Sequence, residues 1–123
     1  PLICVGEKKL EKNLSRRKQV LKRQLDILFK KVINKKKLIL IAYEPIWAIG
    51  KNNKAASIDY CNETMQYIRK IVSKKINKTK ILYGGSVDEK NYKEFLKSDY
   101  IDGIFIGRAA LNANNFIKIC KGI

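Results

Sequence analysis

No histidine occurs among the 123 residues. That removes the commonest general base and metal ligand, so acid–base chemistry here must rest on Glu, Asp, Lys, Tyr or Cys. Cysteine is scarce as well. Cys4, Cys61 and Cys120 are odd in number, far apart and without metal-ligand spacing. Each sits in an apolar context and reads as a free, buried thiol in a reducing compartment, with a reactive thiol as the lesser alternative and no metal site expected. No apolar run approaches the roughly 18 residues of a membrane helix. The opening Pro1-Leu2-Ile3-Cys4-Val5-Gly6 is too short for a secretory signal. A start methionine is missing and Met65 is the only one, so the sequence reads as beginning inside a longer polypeptide. Acidic residues number 11 against 27 basic ones, a net charge of +16. Such a balance fits nucleic-acid binding. Yet the basic residues are 22 Lys and 5 Arg, whereas bidentate phosphate and base recognition favours Arg. The Lys are scattered, with one dense run at Lys35-Lys36-Lys37. A general surface bias is the preferred reading over a dedicated polyanion site.

What is present has a clear order. Apolar, β-rich runs at residues 2–5, 38–43, 80–83 and 103–106 alternate with helical patterns at about 11–32, 57–72, 88–96 and 114–121. In the first helix Leu21, Leu25, Leu28 and Val32 share a face. In the second, Ser57 is the expected cap and Cys61, Met65, Ile68 and Val72 share a face. The run LILIAY is apolar throughout, as a strand buried on both faces is. Strand–helix alternation with short connections means a parallel sheet with crossover helices, here four βα units in a length that suits one domain. The special residues all follow strand ends: Glu7, Glu44, Gly84 to Ser86, and Gly107 with Arg108. Ligands of α/β folds bind at that end of the strands.

Four features there could carry chemistry. Tyr43-Glu44-Pro45 places a carboxylate directly after an apolar strand and before a proline that directs the backbone. It suits a general base, and equally a glutamate that caps a helix or pairs with a lysine. Residues 45–54 form a loop of about ten residues, apolar at first and polar at its end, with Trp47 as an anchor. It suits a lid, or a surface loop with Trp47 in the core. Gly84-Gly85-Ser86 and Gly107-Arg108 each put glycine between a strand and a helical stretch, where backbone N–H groups favour an anion. Singly each suits a plain turn; together they suggest a phosphate site.

The segments Ala42-Tyr43-Glu44-Pro45-Ile46-Trp47-Ala48-Ile49-Gly50, Tyr83-Gly84-Gly85-Ser86-Val87 and Asp102-Gly103-Ile104-Phe105-Ile106-Gly107 closely resemble the triosephosphate isomerase family, and Ile3-Cys4-Val5-Gly6-Glu7 resembles its fifth strand. The resemblance spans essentially the whole chain. It implies an α/β fold, the C-terminal four βα units of a (β/α)8 TIM barrel, so that residues 1–123 are the C-terminal half of one barrel domain. It implies interconversion of dihydroxyacetone phosphate and glyceraldehyde 3-phosphate through an enediolate, in the cytoplasm, without a cofactor. Glu44 matches the catalytic base. Gly50, Ser86, Gly107 and Arg108 match backbone donors to the substrate phosphate. Pro45 to Ala55 match the lid, with Ala55 bonding to Tyr83 and Ser86 on closure. Tyr43, Trp47 and Glu7 match the set that exchanges contacts as the lid moves. Cys4 matches a cysteine packed behind the base, and Arg69 with Asp102 a structural ion pair. The family's Asn, Lys and His of the first half have no counterpart here. The implied partners are that N-terminal half, a small phosphorylated triose and a second copy in a homodimer; membrane and nucleic acid are not expected. The alternative is a non-catalytic half-barrel that holds phosphorylated ligands or polyanions. The chain departs from the family pattern at Lys51-Asn52-Asn53, at Arg108 in place of a second glycine, and at Ala110 in place of serine.

Overall fold

The computed structural model describes residues 1–31 and 38–123; Val32 and the run Lys35-Lys36-Lys37 lie outside the described residues. Strands β1 (Leu2–Val5), β2 (Ile39–Tyr43), β3 (Thr79–Tyr83) and β4 (Gly103–Ile104) form one parallel sheet in chain order. Helices α1 (Leu14–Lys31), α2 (Ile58–Val72) and α3 (Tyr92–Leu96) lie between them in sequence, and α4 (Ala113–Lys121) follows β4. The α/β alternation is the one the apolar periodicity predicts. The register sets Val5 beside Tyr43, Tyr43 beside Tyr83 and Tyr83 beside Ile104. All four strands therefore end at one level, and the segments that follow them meet along a single edge.

One sheet face carries the core. Val5, Ile39, Ile41, Tyr43, Ile81 and Tyr83 are buried there against Leu21, Leu25 and Leu28 of α1 and Cys61, Met65, Ile68 and Val72 of α2. These are the helix faces expected from spacing. The Ser57 hydroxyl caps α2 by accepting from the Tyr60 N–H at 3.4 Å. Side chains alternate across a strand, so Leu2, Cys4, Leu40 and Leu82 point to the opposite face, where each keeps solvent exposure. Among the described residues β1 and β4 are the outer strands. Open strand edges beside an uncovered apolar face favour association. The 123-residue chain alone is expected to sediment as oligomers or to bind a hydrophobic dye; a monomer with a sharp cooperative unfolding transition would overturn this.

Several boundaries differ from the sequence pattern. Residues Lys9–Glu11 form a separate 3₁₀ turn before α1. The third helix keeps only Tyr92–Leu96, because the Asp88 carboxylate accepts from the N–H groups of Lys90 and Asn91 while the Asn91 side chain accepts from the Asp88 N–H. Side-chain bonds of this kind compete with helix. The fourth strand keeps two residues of the four expected: it is an outer strand, and beyond Ile104 only the Phe105 N–H, donating to the Tyr83 carbonyl at 2.8 Å, continues the ladder. Cys61 is buried, but Cys4 and Cys120 are exposed, against the expectation of buried thiols. Cys4 lies on the open sheet face and Cys120 on the outer side of α4, whose neighbour Ile119 takes the buried position.

The Arg69–Asp102 ion pair forms, at 2.8 Å, with Lys80 as a second cation and the Ile81 N–H donating to the same carboxylate. Partial desolvation pushes the Asp102 carboxyl up, but the Ile81 N–H and the two cations outweigh it and hold the group below its ordinary value.

Candidate active site

Glu44 leaves the end of β2 with its N–H donating to the Val5 carbonyl at 2.8 Å. Its side chain is half-buried and runs across Gly84. A Cβ on Gly84 would stand 2.6 Å from Glu44 Cγ and 3.2 Å from Phe105 Cδ1, closer than packed atoms allow, so only glycine leaves the carboxylate this path. The neighbouring Gly85 likewise makes room for the Tyr83 hydroxyl and for Ala48. At Gly84 and Gly85 the missing side chains make room for the site's own groups. The Cys4 thiol is beside Glu44. Desolvation first, then its hydrogen bond to the carboxylate and that group's negative charge, push the thiol up to about 11. Cys4 thus packs against Glu44 as the family resemblance implies, while remaining exposed.

The carboxylate opens into a cavity of about 720 Å³. Glu44, Gly50, Ala55, Ser86, Gly107 and Arg108 all line it. These residues come from three separate strand ends, so the common level of the strands is what gathers them. The other matched residues, Glu7, Tyr43, Pro45, Trp47 and Tyr83, do not line the cavity; they hold the loop that forms one side of it.

That segment is fastened at each end. Pro45 is buried and starts a 3₁₀ turn over Ile46–Ala48. The Ile46 N–H donates to the Glu7 carbonyl at 3.0 Å. The fully buried Glu7 carboxylate accepts from the Trp47 indole at 2.7 Å, the Tyr60 hydroxyl at 2.7 Å and the Tyr43 hydroxyl at 3.0 Å. Tyr60 also meets the Trp47 ring edge-on at 5.3 Å, and the Lys12 ammonium sits 3.8 Å from the centre of that ring. At the far end the Ala56 N–H donates to the Tyr83 hydroxyl at 2.8 Å. The Ser86 hydroxyl donates to the Ala48 carbonyl at 2.6 Å, from a backbone held at φ +40°. The bonds at Tyr83 and Ser86 are thus made to Ala56 and Ala48; Ala55 makes neither.

Burial, together with the negative Glu7, raises the Tyr43 phenol well above its ordinary range. Burial first, and next the hydrogen bond to Glu7, push Tyr60 up to about 12. Both phenols therefore stay protonated near neutral pH and act as donors. Among the described residues no three His, Cys, Asp or Glu side chains gather as a metal-binding set.

Sequence reasoning missed Tyr60, Lys12, Gln24 and Arg17. Gln24 of α1 brackets Gly6, its amide donating to the Gly6 carbonyl at 2.9 Å and accepting from the Gly6 N–H at 3.0 Å. The buried Arg17 guanidinium lies 3.8 Å from the Tyr60 ring centre and pairs with Glu63. Each of these contacts joins distant parts of the chain, and no local pattern announces it.

The arrangement is a half-buried carboxylate, a cavity with two glycine-containing turns on its rim, and a fastened loop along one side. The sequence model of the triosephosphate isomerase family matches residues 1–123. The chain is 44% identical over 98% of its length to a triosephosphate isomerase of Mycoplasma mobile, covering 48% of that protein. It is 42% identical over 98% of its length to one of Dehalococcoides mccartyi, covering 49%. It is also 36% identical over its whole length to an L-erythrulose-1-phosphate isomerase of Rhizobium meliloti, again covering 49%. The chain spans about half the length of the curated relatives it matches. Four parallel strands with their helices, at half length, fit a partial TIM barrel. The chain belongs to the triosephosphate isomerase family.

Proposed function

We propose that residues 1–123 are the C-terminal half of one barrel domain, and that the barrel assembled with a first half interconverts dihydroxyacetone phosphate and glyceraldehyde 3-phosphate. The observation that carries this is the shared cavity of Glu44, Gly50, Ser86 and Gly107. A carboxylate beside backbone N–H groups suits a phosphorylated ligand with an acidic C–H. In this reading the Glu44 carboxylate removes a proton from C1 of the ketose, leaving an enediolate, the hydroxyl proton passes from O1 to O2, and Glu44 returns its proton at C2. N–H groups of Gly50, Ser86, Gly107 and Arg108 hold the phosphate. The loop over residues 45–55 keeps water from the enediolate when it closes. By family resemblance, the first half supplies the electrophile that polarises the carbonyl, and the enzyme is a cytoplasmic homodimer without a cofactor.

The test is reconstitution. Adding a first half that carries the family's Asn, Lys and His should produce isomerase activity that neither half shows alone. L-erythrulose 1-phosphate belongs in the same assay, because the Rhizobium meliloti relative is named for it. Phosphate binding without turnover in a correctly folded assembly would favour a non-catalytic half-barrel instead.

The same assembly tests the Asp102 pair. Its folded carboxyl titrates below its ordinary value, so the stabilisation is fully present above about pH 4 and is lost as pH falls through the lower folded value. Asp102→Asn should destabilise at pH 7 and flatten the acid limb in urea unfolding followed from pH 7 to pH 3. Parallel acid limbs for the two proteins would show that the pair contributes nothing.

A further inference from the structure

The cavity's least expected member is Arg108. It opens the 3₁₀ turn Arg108–Leu111 after β4, where the family pattern has a second glycine. Its guanidinium reaches across the cavity mouth and donates to the carbonyl of Gly50, 58 residues away in sequence. Gly50 sits at φ +122°, a conformation that glycine adopts without strain and other residues rarely adopt. The carbonyl before it, Ile49, accepts from the Asn53 side chain. Both carbonyls of the loop tip are thus held by side chains, one from the loop itself and one from the opposite rim.

A guanidinium has five N–H donors in a planar fork, and the bond to Gly50 uses one nitrogen. Among the described residues no carboxylate pairs with Arg108. The Asp88 carboxylate on the same rim is engaged with the N–H groups of Lys90 and Asn91. Gly107, next to Arg108, has open space where its side chain would be. A full positive charge with unused donors therefore bonds the loop tip from the turn at Gly107, and both line the cavity.

We propose that the Arg108 side chain bridges the loop tip at Gly50 to the phosphoryl group of the substrate, as a binding and loop-positioning residue. This rests on the reading of the cavity as a phosphate site and adds a guanidinium to the backbone donors of that reading, beside Lys51 and Lys54, which also line the cavity. The planar fork matches phosphoryl oxygens in a way a single ammonium does not. With a phosphoryl group in place, Arg108 ties the loop and the ligand to one another. Without it, Arg108 holds the loop tip by one exposed hydrogen bond. Phosphate arrival and loop position are then coupled through one side chain.

The test uses the assembled barrel, with inorganic phosphate titrated by calorimetry and the isomerase followed by its rate. Arg108→Met should weaken phosphate about tenfold and raise KM about as much, the loss of one charge-assisted contact, with kcat within about threefold. Arg108→Lys should fall between, keeping the charge and losing the fork. The advantage of Arg over Met should shrink at high salt. Arg108 is exposed, so both variants should melt within a few degrees of the parent. Phosphate affinity unchanged in Arg108→Met overturns the proposal. So does Arg108→Lys as weak as Met, or a fall in kcat with phosphate affinity and KM intact. Phosphate titration does not depend on turnover. A correctly folded assembly that binds phosphate but shows no turnover would therefore remove the isomerase reading and leave the Arg108 result standing, whereas an unaffected phosphate titration in Arg108→Met would do the reverse.

Discussion

Replacing Glu44 by Gln in the assembled barrel is expected to lower kcat by about 10²- to 10⁴-fold, the usual loss when a general base is removed. KM should change little, because the phosphate donors lie elsewhere on the cavity rim. The amide is nearly isosteric with the carboxylate, and the passage over Gly84 that admits the Glu44 side chain admits Gln equally. The loss is then one of proton affinity and not of packing. Glu44→Asp separates the two. It keeps the charge but withdraws it by one methylene, and a misplacement of about 1 Å costs on the order of 10²-fold. Cys4 offers a readout independent of turnover. Its thiol is raised to about 11 by desolvation and by Glu44, so alkylation of Cys4 in Glu44→Gln should shift part of the way down in pH. Desolvation, the larger cause, remains. A kcat near the parent value in Glu44→Gln would remove the assignment of Glu44 as base.

Glu7→Gln is expected to be the most damaging change outside the cavity. Three donors converge on the buried Glu7 carboxylate: the Tyr43 and Tyr60 hydroxyls and the Trp47 indole. A carboxylate suits them because it only accepts. An amide carries no charge and turns one of the two oxygens into an N–H donor, so the Tyr43 hydroxyl, which reaches both oxygens, has to accept there, and the bonds that remain lose their charge assistance. The expected cost is about 2–4 kcal/mol, read as a lower urea midpoint of the assembled barrel. The indole bond is one of the contacts holding the 3₁₀ turn at Ile46–Ala48, so the loop should also loosen. KM should rise and kcat fall together, unlike the KM effect expected at Arg108. Stability and kinetics both equal to the parent would show that the Glu7 cluster is incidental.

Much of this molecule is legible in one dimension because its signals are local. Helical spacing placed Leu21, Leu25 and Leu28 on a buried face, and the apolar run before Tyr43 marked a central strand. Ser57 announced the start of α2. Glu44 and its loop were recognisable because the motif that carries them is contiguous. The Asp88 region shows where local reading stops even at short range. A helical pattern there yields to side-chain bonds between Asp88 and Asn91, since both outcomes satisfy the same backbone groups and hydrophobic spacing does not rank them.

By itself the sequence determined the strand–helix alternation and put Glu44, Gly84 to Ser86 and Gly107 at the strand ends; the chemistry at Glu44 is what the family resemblance implies and what we propose. The tertiary structure decided what surrounds that residue. Glu7 meets Tyr43, Trp47 and Tyr60 across 36, 40 and 53 residues, and Arg108 meets Gly50 across 58. The tertiary structure also decided that Cys4 is exposed, because that depends on what covers the second face of the sheet and not on the apolar residues around Cys4 in the chain. The physical reason is common to all of these. Periodicity and caps are set by neighbours within a turn or two, whereas these contacts depend on strand register and on where α1 and α2 dock. Only the folded chain brings such distant groups within bonding distance.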